Sequence, residues 1–274
     1  MANADDRPES MCRPVLGAGD LLPGPTPPTS DALRSFRLRP PNAVLRDQRG
    51  GYVVACVHST FPISMTGQRP SKIVCVGRNY LEHARELGND VPAEPLIFLK
   101  PPSSLIDGGE SIVLPPQSEQ VEFEGEIGIV IGQRLKHASE ESAIAGIAAI
   151  VAVNDITARD LQRRDSQWTR AKGFDTFCAV GKPLVGRASL EQLRALEVVT
   201  RVNGKERQRG RAAEMAFSIP FLISYISDIM TLEPGDLIAT GTPAGVGKLA
   251  AGDIVEVEVP GASMVTNPVA APSV

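Results

Sequence analysis

The chain has 274 residues, a formal net charge of −4, 42% hydrophobic and 22% charged residues, a globular balance that excludes wholesale disorder. Its sequence pI near 5.5 argues against a nucleic-acid partner, whose binders carry a basic surplus. No apolar run approaches the roughly 18 residues that a membrane-spanning helix needs.

Acidic Asp5, Asp6 and Glu9, with no basic region followed by an apolar stretch, speak against a presequence. Prolines crowd the start (Pro23, Pro25, Pro27, Pro28, Pro40, Pro41), and no periodicity survives there. Residues 1–48 therefore read as an extended, poorly ordered leader. Residues 49–70 read as a short bridge with one strand-like run, Tyr52 to Val57. Residues 71–274 read as the regular, folded domain. Four cysteines, Cys12, Cys56, Cys75 and Cys178, stand far apart without a Cys-x-x-Cys pair, so they fit reduced thiols of a cytoplasmic protein.

Within the domain, Lys72 to Val76 predicts a strand and Asn79 to Gly88 a short helix, with Asn79 as cap and Gly88 as stop. Leu96 to Leu99 is a strand halted by Pro101-Pro102. Val121 to Ile131 predicts a long strand, Glu140 to Ile147 a helix, and Ala149 to Val153 a further strand. Ser189 to Gln192 spells a capping box. Val198–Val202, Asn203-Gly204 and Lys205–Gln208 spell a hairpin. Ser218-Ile219-Pro220 opens a helix apolar nearly all round, hence predicted to be buried. Leu237–Thr240 and Ile254–Val259 are late strands. Strands dominate, which gives an α+β, mainly β class.

Chemistry concentrates at a few places. On the 121–131 strand, Glu122, Glu124 and Glu126 fall on one face and Phe123, Ile127 and Ile129 on the other. Asp155 ends a neighbouring run. Clustered carboxylates repel unless a proton or cation intervenes, and oxygen donors without His or Cys select Mg2+, Mn2+ or Ca2+ over zinc. An amphipathic strand with its Glu side in water fits the same pattern. His83 and Glu86, three apart on a helix, share a face. A carboxylate beside an imidazole suits a general base, although an exposed pair on a charged helix fits equally. Lys100 and Lys172 could each hold an anion or a developing oxyanion; each alone also fits a solvated surface lysine. The Gly241–Lys248 turn fails the phosphate-loop spacing, but Gly241-Thr242 can still offer an N–H and a hydroxyl to a carboxylate.

Seven stretches in order carry a resemblance. They are Cys75-Val76-Gly77-Arg78-Asn79-Tyr80 with His83, Phe98-Leu99-Lys100-Pro101, Glu124-x-Glu126, Asn154 to Gln162, Trp168 to Phe174, Met215 to Pro220, and Gly235 through Gly247. From about residue 71 to the end the chain is similar to the fumarylacetoacetate hydrolase superfamily, in its acylpyruvate hydrolase and oxaloacetate decarboxylase-like branch. The resemblance implies a mixed β-roll, a homodimer and a divalent metal, Mg2+ or Mn2+, at Glu124, Glu126 and Asp155. It implies that Lys172 lies beside a small 2-oxo acid substrate and that His83 with Glu86 activates water on a closing lid. Arg78, Lys100, Arg159, Gln162, Gly241 and Thr242 are the implied substrate contacts. The implied reaction is hydrolysis of a C–C bond in a 2,4-dioxo acid such as an acylpyruvate, by way of a pyruvate enolate. The alternatives are isomerisation of a hydroxymuconate-type dienoate and decarboxylation of oxaloacetate.

Overall fold

A computed structural model describes residues 44–46, 52–54, 69–82, 92–182, 184–185 and 188–272. The chain divides into two compact units, residues 1–58 and 59–274. In the first, β1 (Val44–Arg46) and β2 (Tyr52–Val54) pair as an antiparallel hairpin. β1 falls within the stretch read as leader, and β2 within the run read as a strand.

The second unit carries β3 (Ile73–Gly77), β4 (Leu96–Lys100), β5 (Leu105–Asp107), β6 (Ile112–Val113), β7 (Val121–Phe123), β8 (Gly125–Ile131) and β9 (Ile147–Asp155). Next come β10 (Thr157–Ala158), β11 (Cys178–Val180), β12 (Leu184–Val185), β13 (Glu197–Val202) and β14 (Lys205–Arg211). The last are β15 (Leu237–Ala239), β16 (Gly247–Lys248), β17 (Ile254–Val259) and β18 (Ser263–Ala270). The main sheet runs β4-β3-β15-β8-β9-β11-β5, with β12 also on β9. β3/β15 and β5/β11 are parallel, and the other pairs are antiparallel. A second sheet runs β14-β13-β17-β18-β6, and a third, small one runs β10-β7-β16. This is an α+β, mainly β architecture of the mixed β-roll kind.

Apolar residues cover both faces of the main sheet. Val74, Ile127, Ile129, Ile150 and Ala152 join one core cluster, while Ile73, Cys75, Val130, Val151 and Val153 join the other. That explains why these strands read as nearly unbroken apolar runs rather than as alternating ones. It also removes the water-facing reading of the Glu122–Glu126 side, because every residue from Val121 to Ile131 is buried. The predicted long strand is broken at Glu124, between β7 and β8.

Helices are short. Ser139 caps Glu140–Ala145, and Ser189 with Gln192 forms the expected capping box of Leu190–Ala195. Ser218 caps Ile219–Ile229. That helix buries Ile219, Leu222, Ile223 and Ile226 but leaves Phe221 and Ile229 exposed, so it lies on the core with one face instead of being buried all round. The sequence pattern signals neither the helices Arg159–Arg164 and Thr169–Lys172 nor the strands β5, β6, β10, β11, β12, β16 and β18.

A cleft built on three carboxylates

β8 and β9 pair antiparallel with Gly125 opposite Asn154, which brings the two chain segments bearing acids to one end of the sheet. The Asp155 N–H donates to the Glu124 carbonyl at 2.8 Å, and the Glu124 N–H donates to Asn154 Oδ1 at 3.0 Å. Glu124, Glu126 and Asp155 are 5%, 1% and 1% exposed, and one carboxylate oxygen from each lies within 4.8 Å of the others. Such a set cannot stay ionised in a dry site without positive charge beside it.

Three cations supply it. Lys172 Nζ donates to Glu124 Oε2 at 2.7 Å and to Asp155 Oδ2 at 2.6 Å. Lys100 Nζ donates to Asp155 Oδ1 at 2.6 Å and to the Ile156 carbonyl at 3.0 Å. Arg159 Nε donates to Glu122 Oε2 at 2.7 Å, and its other nitrogens reach Glu124 and Gln162. Both lysines are 1% exposed, so neither is the solvated surface residue that each resembled in isolation. Burial works against the Lys172 ammonium, but Asp155 and Glu124 outweigh it and hold the group above its ordinary value. Burial likewise opposes the Arg159 guanidinium and is outweighed by Glu124 and Glu122. For Glu126, burial and then the Asp155 charge push the carboxyl well above the usual range, against the pull of Lys172 and of the Gly241 N–H.

The acids and Lys172 border a cavity of about 60 Å³, whose wall also includes Arg78, Phe98, Arg159, Gln162, Trp168 and Thr242. Gly77 is a close approach: a Cβ there would stand 2.9 Å from the Trp168 ring. Trp168 packs edge-on against Phe98, and the Lys172 ammonium lies 5.0 Å from the Phe98 ring centre. Arg78 has φ 58°, a left-handed backbone uncommon outside glycine.

Two of the implied substrate contacts sit elsewhere. Lys100 is not on the cavity wall; it lies beside Asp155 and steadies it. Gly241, at φ +104°, donates its N–H to Glu126 Oε2 at 2.7 Å, so that turn serves an acid of the cluster. His83 and Glu86 lie outside the described residues. Glu122, which the sequence placed on the acidic face without a task, anchors Arg159. Asn154, which ties Glu124 to the end of β9, carried no signal beyond its place in the Asn154-Asp155 motif.

The donor set fits a hard divalent cation. Among the described residues, three buried carboxylate oxygens converge with no imidazole or thiolate in the set, and a lysine ammonium already bridges two of the three.

Comparison with known proteins agrees. The family model "Fumarylacetoacetate (FAA) hydrolase C-terminal" matches residues 72–270. An oxaloacetate tautomerase of Bacillus subtilis is 43% identical over 202 residues, 70% of this chain and 67% of that protein. The crystal structure of a 5-carboxymethyl-2-hydroxymuconate delta-isomerase from Mycobacterium smegmatis is 42% identical with TM-score 0.69, covering 75% of this chain and 81% of that one. A fumarylpyruvate hydrolase from Pseudomonas aeruginosa, solved with Mn2+ and pyruvate, is 30% identical with TM-score 0.69, covering 74% and 90%.

Proposed function

This chain belongs to the fumarylacetoacetate hydrolase family, and on that premise we propose that it is a divalent-metal-dependent enzyme cleaving a C–C bond in short 2,4-dioxo acids of the acylpyruvate type. The observation that carries this is the convergence of Glu124, Glu126 and Asp155 with Lys172 on one cavity. Glu124, Glu126 and Asp155 would hold Mg2+ or Mn2+, which supplies positive charge to the carboxylate and adjacent carbonyl oxygens of a 2-oxo acid.

Lys172 follows from its surroundings. Its Nζ donates to Glu124 Oε2 and to Asp155 Oδ2, so it serves as hydrogen-bond donor and positive charge beside the acids. That fits a group that stabilises an enolate oxygen. The base must then come from another residue, and we assign His83, oriented by Glu86, to that task. Water attacks the distal carbonyl, and the bond between C3 and C4 breaks. Its electron pair passes into a pyruvate enolate, and C3 takes up a proton to give pyruvate and a carboxylic acid. Arg78 and Gln162, on the cavity wall, are the proposed contacts to the rest of the substrate. A homodimer in the cytoplasm belongs to the same reading; among the described residues no helix is long and apolar enough to cross a membrane.

A second reading has support of its own. The tautomerase and isomerase relatives are 43% and 42% identical, the hydrolase 30%. Tautomerisation, isomerisation and decarboxylation of an oxo-dicarboxylate use the same enolate without attack by water. Purified protein with Mn2+ is to be incubated with acetylpyruvate, fumarylpyruvate and oxaloacetate, following enol absorbance and released pyruvate. Metal-dependent pyruvate release from an acylpyruvate supports hydrolysis. Faster enol–keto exchange of oxaloacetate, with the acylpyruvates untouched, moves the assignment to the second reading.

A further inference from the structure

Gln208 lies on β14, a strand of the second sheet whose neighbours Arg207 and Arg209 are exposed, yet it is 1% exposed and all of its hydrogen-bonding groups are engaged. Its Oε1 accepts from the Gly125 N–H at 3.0 Å. Its Nε2 donates to Thr242 Oγ1 and to the Pro243 carbonyl, both at 2.8 Å. Thr242 Oγ1 in turn donates to the Gly125 carbonyl at 2.8 Å. The three residues thus close a ring: Gln208 to Thr242, Thr242 to Gly125, and Gly125 back to Gln208. The amide orientation is fixed by its partners, because the Gly125 N–H requires an acceptor and the Pro243 carbonyl a donor.

The ring sits where the cluster is most sensitive to position. Gly125 separates Glu124 from Glu126, and a Cβ on it would stand 1.9 Å from Thr200 Oγ1, so its backbone packs directly on β13. Thr242 follows Gly241, whose N–H holds Glu126. We propose that Gln208 is a positioning residue for the metal ligands: by pinning Gly125 to the Thr242-Pro243 turn, it sets the separation of the Glu124 and Glu126 carboxylates. The same ring commits the only Thr242 hydroxyl proton to Gly125, so a ligand that reaches this hydroxyl meets an acceptor and must bring its own O–H or N–H. This deepens the metal-dependent reading and rests on it.

The test measures Mn2+ affinity by calorimetry on the full-length chain, so turnover is not needed. Gln208→Leu, close in size and without polar groups, and Thr242→Val, which removes the hydroxyl, are each expected to weaken Mn2+ binding by about tenfold to a hundredfold, as loss of a residue that orients metal ligands does. Because both break one ring, the double variant is expected to lose no more than the weaker single variant. Thr242→Ser, which keeps the hydroxyl, restores the affinity. Folded Gln208→Leu and Thr242→Val proteins that bind Mn2+ as the wild type does, or losses that multiply in the double variant, overturn the inference while leaving the proposed function standing. If Gln208→Leu does not fold, Thr242→Val with its serine rescue decides alone. A wild-type chain that takes up no Mn2+ removes the proposed function and this inference together.

Discussion

The Lys172 ammonium stands 2.6 Å from the Asp155 carboxylate, with both groups nearly sealed from solvent. Buried pairs of this kind contribute little net stability while intact, but removing one partner leaves an uncompensated charge at a cost of roughly 3–5 kcal/mol. Lys172→Met therefore lowers the melting temperature of the metal-free protein. On the proposed mechanism it also lowers kcat by a factor on the order of 10² or more, because the positive charge assigned to the enolate oxygen is gone. The two effects separate on adding Mn2+. A divalent cation compensates Glu124 and Asp155, so the variant recovers more of its melting temperature than the wild type gains, while kcat stays low. Thermal scans with and without Mn2+ beside steady-state rates read this out. A kcat near wild type would show that Lys172 serves stability alone.

Glu124→Gln and Asp155→Asn test the donor set itself. Either amide keeps the size of the side chain and removes one anionic oxygen, and hard cations depend on that charge. Mn2+ uptake falls below detection in titration calorimetry. The two variants differ in structure, because Asp155 also neutralises Lys100. Asp155→Asn strands a buried ammonium and is the less stable of the two in urea unfolding.

Much of this architecture is legible in the sequence because its signals are local. The Ser189–Gln192 box, the Asn203-Gly204 turn and the Ser218 cap each lie within a few residues of what they control. The acids were legible as well, since the Glu124-x-Glu126 spacing and Asp155 carry the family resemblance. What escaped depends on contacts across the chain. The resemblance marked Lys100 and Lys172 as site residues, but their pairing with Asp155 shows only when β9 brings that acid to both. Gln208 sits in a strand of charged residues, and only the strand's alternation hints that it turns inward. Gly241, which the resemblance implies as a substrate contact, directs its N–H to Glu126, a pairing between residues far apart in sequence.

Gly241→Ala probes the turn that holds Glu126. At φ +104° an alanine is strained, and its Cβ would stand 2.7 Å from Asn79 Cβ. A left-handed residue with a side chain costs about 1–2 kcal/mol, and the contact adds to it. Asn79 cannot give way easily, since its amide bonds Thr240 and Phe217 on both sides. The expected result is a lower melting temperature together with weaker Mn2+ binding, because the N–H aimed at Glu126 shifts with the turn. Loss of stability with unchanged affinity would restrict Gly241 to the turn.

Cys75 and Cys178 give a pH prediction. Burial, more than any neighbouring charge, pushes the Cys178 thiol up to about 12, and Cys75 is raised well above its ordinary value by burial and then by Asp155. Since the thiolate is the reactive form, a raised value means almost no reactive species until the solution is strongly alkaline. Iodoacetamide at pH 8 therefore leaves both unmodified in the folded protein and alkylates both after denaturation in guanidinium, with peptide mass mapping separating them from Cys12 and Cys56. Rapid modification of Cys178 under native conditions contradicts the packing described here.

Trp168 offers the most direct readout of the cavity. It is the only tryptophan in the chain, and its ring lines the cavity with Phe98 and Lys172. Its emission therefore reports one place and no other. Mn2+ is paramagnetic, so binding at Glu124, Glu126 and Asp155 quenches that emission in a saturable manner. Pyruvate, a 2-oxo acid carrying a carboxylate beside its carbonyl, changes it further only when the cation is present. Glu124→Gln abolishes both responses while leaving the starting spectrum close to wild type, because the Trp168–Phe98 packing does not involve the carboxylate. A pyruvate response that survives without any divalent cation would place the 2-oxo acid on the cationic side chains of the wall, and the order of binding, metal before acid, would fall.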